Sequence, residues 1–217
     1  MLNCKISYSS GGIIMIKSTF YNLSDDKRNR VLQSVMEEFA ASESEKISIN
    51  RIIKRANISR GSFYQYFDDK VDLVEVLIRT LVDMSIKDAY RALSESDGDI
   101  FVLYETVLDV LINLSKDEFY NSIMRNLCRS IYSKDSLVFE YMQTRFHGIE
   151  ELNQLSQCIN RSKLRYSSDE DVSALHQMII AILRHCATLL FVMNTGAAVL
   201  KQDFSRKLEI IKNGALL

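Results

Sequence analysis

The 217-residue chain contains no proline and no tryptophan, and it has only seven glycines. Proline and glycine interrupt helices and form tight turns between strands, so their scarcity favours an all-helical protein over a turn-rich β-sandwich. Hydrophobic residues make up 47% of the chain and charged residues 25%. This composition is that of a soluble globular protein, and it excludes collagen-like, low-complexity and wholly disordered chains.

Cysteines are few and lie far apart in the sequence, with no C-x-x-C pair. They are Cys4, Cys128, Cys158 and Cys186. This spacing, together with the absence of a recognisable secretory signal, argues against a disulfide framework and favours a reduced, cytoplasmic setting. The formal net charge of -1 excludes a uniformly basic nucleic-acid coat but allows a local basic patch.

The most apolar late stretch, residues 178–193, is interrupted by Arg184 and His185. It is shorter than the roughly 20 residues that a membrane-spanning helix needs. We therefore expect a buried helix, and no membrane partner.

The first residues of the chain show neither helical nor strand periodicity, and a second possible start follows at Met15. Glycine codons begin with two guanines, so Gly11 and Gly12 are compatible with a translated ribosome-binding sequence upstream of that start. The alternative is a genuine but disordered N-terminal arm. Residues 1–24 are expected to form an N-terminal extension ahead of the first domain.

Polar caps and apolar spacing predict helices along the rest of the chain. Ser24, followed by two aspartates, predicts a helix that reaches about residue 41, while Ser48 and Ser59 predict the N-caps of two short helices. A long helix is predicted from residue 68 to about residues 94–98. Five further helices are predicted at approximately 99–114, 117–132, 135–160, 169–194 and 202–213.

The segment from Lys46 to Phe67 carries five basic residues and no acidic residue, although the whole chain is nearly neutral. Within it, residues 48–67 contain two short helices joined by a three-residue connection at residues 57–59. This is the spacing of a helix-turn-helix motif. Hydroxyl groups bind phosphates and Arg or Gln side chains recognise base edges, so the pattern predicts DNA binding.

The run NISRGSFYQYFDDKVDL resembles the G-[VI]-S-x-G-[ST]-[LFI]-Y-x-[HY]-F-x-x-K-x-x-L signature of the TetR/AcrR transcriptional regulators. The resemblance is strongest over residues 20–77. One departure is Asn57, where the family usually has glycine; asparagine tolerates the left-handed conformation, so the turn is expected to survive. The resemblance implies an all-α fold, with a helix-turn-helix DNA-binding domain at 25–85 and an effector-binding and dimerisation domain at 86–217.

Ten residues are expected to contact double-stranded operator DNA when the family pattern is carried over position by position. Those expected at or near phosphates are Ser48, Arg51, Tyr64, Tyr66 and Lys70. Arg60 and Gln65 are the expected base contacts, and the start of the recognition helix would be lined by Ser59, Gly61 and Ser62. Phe63 and Phe67 are expected to face the core of the domain.

The C-terminal part is expected to bind an unidentified small-molecule effector and to form a homodimer. The candidate effector residues are Tyr104, Met124, Cys128, Met142, Phe146 and His147. The candidate dimer residues are Met178, Ile182, Leu189, Met193, Phe204 and Leu208. Plain internal core is the alternative for both sets, because aromatic and methionine stripes at helical spacing are often core.

The sequence contains no H-E-x-x-H, P-loop, G-x-S-x-G or G-x-G-x-x-G pattern. We therefore expect no catalytic residues, no metal ligands and no cofactor. The favoured function is a dimeric repressor that binds an inverted-repeat operator and is released by an effector. Two alternatives stay open: a TetR-like coactivator that binds protein and not DNA, and a ligand-binding or catalytic helical protein with an incidental helix-turn-helix.

Overall fold

The protein is described by a computed structural model over residues 16–134, 136–144 and 150–215. These residues form α-helices joined by short connections and contain no extended strand. The predicted all-helical fold is confirmed.

The N-terminal part, called the head below, is built from α1 to α4 and the first turns of α5. The head helices are α1 (Ser18–Tyr21), α2 (Asp25–Ala41), α3 (Ile49–Ala56), α4 (Arg60–Tyr66) and α5 (Val71–Glu95). The predicted helices agree closely with α2 to α5. The short helix α1 was not predicted, because its four residues are too few for an apolar period to show. Ile16 and Phe20 are buried in the head core, so the head begins before residue 25, where the first domain was expected to begin.

The remaining helices form the body. They are α6 (Ile100–Leu114), α7 (Glu118–Ser130), α8 (Leu137–Thr144), α9 (Glu150–Gln157), α10 (Asp169–Phe191) and α11 (Ala197–Ala215). The single helix predicted at 135–160 is described as α8 and α9, and residues 145–149 between them lie outside the described residues. The predicted start of the last helix, residue 202, was wrong: α11 begins at Ala197, and Leu200 and Phe204 both lie in the core, one turn apart.

Two hydrophobic clusters hold the helices together. The body cluster joins α5, α6, α10 and α11 around fully buried residues such as Phe191 and Phe204. The head cluster contains Phe39, Phe63 and Phe67, but it also takes in Ile123 from α7 and side chains from α8. The head core is therefore continuous with body helices, and the division at residues 85 and 86 stays a prediction.

A polar contact also links α7 to the head. The Asn126 side-chain amide donates to the carbonyl oxygens of Phe39 at 2.9 Å, Ala40 at 3.2 Å and Ser42 at 3.4 Å. These carbonyls belong to the C-terminal end of α2, where the helix cannot satisfy them itself. A shift of α7 therefore disturbs the end of α2 directly.

Helix α10 is the one described helix that is long and apolar enough to cross a membrane by length and composition. Three acidic residues open it, and one face, including Ile179, Cys186 and Phe191, is buried in the body. The expectation of a buried helix holds for one face only, because Met178 on α10 and Met193 just beyond its end are more than half exposed. An exposed apolar face on a packed helix is a feature of interaction surfaces.

Candidate DNA-binding site

The two short helices of the predicted motif are α3 and α4, and side chains cap both of them. The Ser48 hydroxyl accepts from the Arg51 amide at 3.4 Å, and the Ser59 hydroxyl accepts from the Ser62 amide at 3.0 Å. Between them Asn57 has φ 51° and ψ 52°, the left-handed conformation expected of this turn. Asparagine adopts this conformation more readily than most residues other than glycine, so the tight connection survives the substitution.

Helix α4 separates a core face from a surface face. Phe63 and Phe67 are fully buried in the head core, as predicted. Arg60, Gly61 and Gln65 are exposed, and Tyr64 is 41% exposed. The helix therefore presents its basic and polar side chains to the surroundings along one face.

Tyr66 does not belong to this surface. Its side chain is only 4% exposed and packs among aromatic rings, with the Phe20 centroid at 6.2 Å. Residues two apart on a helix point in directions about 200° apart, so Tyr66 and Tyr64 cannot share a face. The expected phosphate contact of Tyr66 is therefore corrected: the residue is part of the head core.

Arg60 is held in place in the DNA-free protein. Its guanidinium donates to the Asn50 side-chain oxygen at 3.1 Å and to the Tyr64 hydroxyl at 3.4 Å, and it lies 5.7 Å from the Tyr64 ring centroid. These contacts orient an exposed cation between α3 and α4, which lowers the entropy lost on binding. Asn50 was not predicted as a functional residue. The sequence signal that could have found it is a polar residue in the first turn of α3, where the structure exposes it.

Gly61 is not required by the packing of the head. A Cβ atom built on Gly61 would meet only the Ser59 hydroxyl, at 3.8 Å, which is an ordinary contact. The backbone of Gly61 has no positive φ either. A small residue at this exposed position is therefore explained best by a surface outside the protein that approaches α4 closely.

Arg51 was expected to reach a phosphate, but its guanidinium is engaged inside the head. It donates to the Glu38 carboxylate at 2.5 to 3.0 Å and to the Lys46 carbonyl oxygen at 3.0 Å. The Glu38 side chain is fully buried. Because a buried carboxylate needs charged partners, the structure gives Arg51 a structural role, and its expected phosphate contact stays a prediction.

Glu38 also accepts from the Ser48 amide and from Arg55, both at 2.8 Å. Burial alone would raise the pKa of Glu38, but the hydrogen bonds from Arg51, Ser48 and Arg55 together lower it below its ordinary value. The carboxylate thus joins α2 to α3 and fixes the base of the helix-turn-helix.

Lys70 lies immediately before α5 and is half-buried. The adjacent Asp69 carboxylate accepts from the Val71 amide at 2.8 Å and from the Asp72 amide at 3.1 Å. Those amides are therefore already satisfied. The phosphate contact expected of Lys70 stays a prediction, and it would depend on the ammonium group and not on free helix amides.

Comparison with known families gives the same assignment for both parts of the chain. The family described as "Bacterial regulatory proteins, tetR family" matches residues 32–77, which include α3 and α4. The family described as "Tetracyclin repressor-like, C-terminal domain" matches residues 99–215, more than half of the chain. This chain belongs to the TetR family. It is accordingly a DNA-binding transcriptional regulator.

Individual TetR-family relatives are distant. The chain is similar to YvdT, an uncharacterized HTH-type transcriptional regulator of Bacillus subtilis, with 31% identity over 87 residues. That match spans 40% of this chain and 42% of the relative, less than half of either protein.

Solved TetR-family structures share the fold over most of the chain. A regulator from Rhodococcus sp. is similar with a TM-score of 0.61 and 15% identity, over 87% of this chain and 100% of that one. SmeT, the repressor of the Stenotrophomonas maltophilia efflux pump SmeDEF, is similar with a TM-score of 0.52 and 18% identity, over 89% and 93%. At these identities the likeness shows the fold alone.

Of the six candidate effector residues, Tyr104 and Cys128 belong to the body cluster and Met124 packs against it. Tyr104 and Cys128 are buried, and burial raises the pKa of the Cys128 thiol to about 11. Met124 and Met142 are half-buried against the head cluster, while Phe146 and His147 lie outside the described residues. Cavities of about 370 and 280 Å³ lie elsewhere, one between α5 and α6 and one beside the turn at Gly98.

The body core does contain one polar pair that the sequence did not reveal. The Tyr104 hydroxyl lies 2.6 Å from His176 Nδ1, and burial lowers the pKa of His176. The other ring nitrogen, Nε2, is buried and has no hydrogen-bond partner within the described parts of the chain. The two residues are 72 positions apart, so only the tertiary structure brings them together.

The candidate dimer residues divide between the surface and the core. Met178 is 52% exposed and Met193 is 66% exposed, whereas Ile182 and Leu189 are half-buried. Phe204 and Leu208 were wrongly expected at a dimer surface: both lie in the body core. The structure adds three exposed apolar residues on the same two helices, namely Ile180, Val199 and Ile210.

Proposed function

We propose that this TetR-family protein is a homodimeric repressor that binds an inverted-repeat operator through α4 and is released by a small-molecule effector. The observation that carries the proposal is the exposed face of α4. Arg60 is oriented there by Asn50 and Tyr64, and Gly61 is small without an internal reason. Such a face suits close approach to a DNA groove.

Specific contacts follow from the position of each side chain. Arg60 and Gln65 would recognise base edges, which is the chemistry that exposed guanidinium and amide groups supply in the major groove. The residues proposed to contact phosphates or to line the groove are Ser48, Ser59, Gly61, Ser62, Tyr64 and Lys70.

The exposed apolar side chains of α10 and α11 support the homodimer. The solvent exposure of Met178 is unfavourable in a monomer, and a second copy of the same surface would bury it. In such a dimer the two α4 helices would enter successive major grooves about 34 Å apart. The operator would then carry two inverted half-sites about one helical turn apart.

Release by an effector would use the contact between α7 and the head. A ligand that binds one arrangement of the body better than another shifts the population of the whole dimer. Because Asn126 and Ile123 of α7 hold α2, a shift of α7 would change the spacing of the two heads. DNA must in turn weaken effector binding by the same factor.

Footprinting on the DNA upstream of the protein's own gene tests the proposal. We expect nuclease protection over two inverted half-sites whose centres lie about 10 base pairs apart. Protection of a single, asymmetric site would contradict the dimeric arrangement. A folded dimer that binds no DNA at low salt would favour the coactivator alternative.

A further inference from the structure

The C-terminal end of α4 is completed by residues that precede their partners in α4 by more than 40 positions. The last four carbonyl groups of a helix find no N–H donor within the helix itself. In α4 the backbone carbonyl oxygen of Tyr64 accepts from the Lys17 ammonium at 2.8 Å. The backbone carbonyl oxygen of Tyr66 accepts from the Lys17 amide at 3.3 Å. The backbone carbonyl oxygen of Gln65 accepts from the Thr19 hydroxyl.

The segment that supplies these donors is anchored on both sides. Ile16 and Phe20 are buried in the head core, and the Phe20 ring centroid lies 5.2 Å from that of Phe67. The Lys17 ammonium also pairs with the Asp68 carboxylate at 2.5 Å, just beyond the end of α4. The donors are therefore held against the helix end by packing, so they lose little entropy when they bind it.

A helix of this length depends on such contacts. Isolated helices shorter than about 12 residues are marginal in water, and α4 has seven residues. A cation near the C-terminus also interacts favourably with the negative end of the helix dipole. The same helix carries Arg60 and Gln65, whose positions relative to the DNA depend on its order and direction.

We propose that Lys17 and Thr19 are positioning residues that hold α4 in its DNA-binding geometry without touching DNA. This inference rests on the proposed function and deepens it. Lys17 caps two carbonyl groups and ties the helix end to Asp68, and Thr19 caps the carbonyl group between them. The two residues therefore govern operator affinity through the order of α4.

The variants Lys17→Met, Lys17→Arg and Thr19→Val test the inference in the full-length chain. Met keeps the length of the side chain but removes the ammonium group, and Val keeps the shape of Thr19 but removes the hydroxyl donor. Lys87→Met is the matched control: it makes the same charge change at an exposed position about four turns along α5 from Val71. Thermal unfolding by circular dichroism establishes that each variant is folded.

Two readouts are measured. Hydrogen exchange by NMR, without DNA, reports the order of α4 through the amides of residues 64–67. Anisotropy titrations against operator and scrambled DNA, from about 50 to 200 mM salt, report affinity and its salt dependence.

We expect Lys17→Met and Thr19→Val to exchange these amides roughly two to five times faster and to bind the operator weaker by a similar factor. The slope of affinity against salt should match the parent, and Lys17→Arg should restore both values. If Lys17→Met and Thr19→Val match Lys87→Met in both readouts, the inference is wrong. A salt slope shallower by about one, with unchanged exchange, would also overturn it, because Lys17 would then be a direct phosphate contact.

Failure of the proposed function gives a different pattern. In that case the parent binds neither DNA, while the exchange of α4 amides still responds to Lys17→Met and not to Lys87→Met. The capping contacts would then be confirmed, and their proposed role in DNA binding would be wrong. If Lys17→Met does not fold, the comparison of Thr19→Val with the parent decides the outcome.

Discussion

Glu38 is a fully buried carboxylate whose partners are Ser48, at the N-cap of α3, and Arg51 and Arg55 on the helix itself. Removing one partner from such a group leaves part of its charge uncompensated in the interior. We expect Arg51→Met to lower the free energy of unfolding by about 1–3 kcal/mol, as measured by urea denaturation. The matched control is Lys54→Met, at an exposed position on the same helix. Equal stabilities of the two variants would contradict the structural role of Arg51.

The same pair gives a pH dependence with a definite sign. The pKa of Glu38 is lower in the folded protein than its ordinary value of 4.5. The ion pairs therefore stabilise the fold fully above that ordinary value and lose their contribution as the pH falls through the lower, folded-state pKa. The difference in unfolding free energy between the parent and Arg51→Met should be constant near pH 7 and should shrink below about pH 4.

Substitutions at Arg60 and Lys70 are expected to change DNA binding in different ways. Arg60→Ala should cost about 1–3 kcal/mol of discrimination at one base pair and little at the others. Lys70→Ala should weaken binding to all DNA sequences alike and make the salt slope shallower by about one. Competition titrations with single-base operator variants separate the two effects. If both variants discriminate between operators as the parent does, the contact assignment is wrong.

At the scale of helices, the sequence predicted most where local chemistry decides the structure. Ser48, Ser59 and Asn57 determine where α3 and α4 begin and how they are joined, and each is recognisable by residue type. It predicted least where burial decides. The inward position of Tyr66, the pairing of Arg51 with Glu38 and the burial of Phe204 all depend on helices distant in sequence, which a periodic pattern does not identify.

The turn between α5 and α6 provides a test of helix packing in the body. Gly98 has φ +73°, and a Cβ atom there would lie 2.4 Å from the Asn160 nitrogen and 2.7 Å from the Cys158 oxygen. Both are backbone atoms that cannot move aside cheaply. Gly98→Ala should therefore lower the free energy of unfolding by about 2–4 kcal/mol in urea denaturation.

Gly196→Ala is the control for this turn, because a Cβ atom at Gly196 would meet nothing within 4 Å. We expect a change of less than about 1 kcal/mol. A loss at Gly98 no larger than that at Gly196 would show that the two segments are not packed as described.

At the scale of the whole molecule, the exposed apolar residues of α10 and α11 predict how the protein assembles. Met178→Asp places a charge on that surface and should shift the protein from dimer to monomer in sedimentation velocity at micromolar concentration. Met84→Asp on α5 is the matched control, because Met84 is 43% exposed against 52% for Met178. A parent that sediments as a monomer, or a Met178→Asp variant that stays dimeric, would contradict the proposed surface.

The central claim is that the α3 and α4 surface makes this protein a sequence-specific DNA-binding regulator. The most direct test is fluorescence anisotropy of the purified protein against the DNA upstream of its own gene and a scrambled control, from about 50 to 200 mM salt. We expect tighter binding to the upstream DNA, weakened by salt because Lys70 neutralises phosphate charge. A folded protein that binds neither DNA, even at the lowest salt, would contradict it.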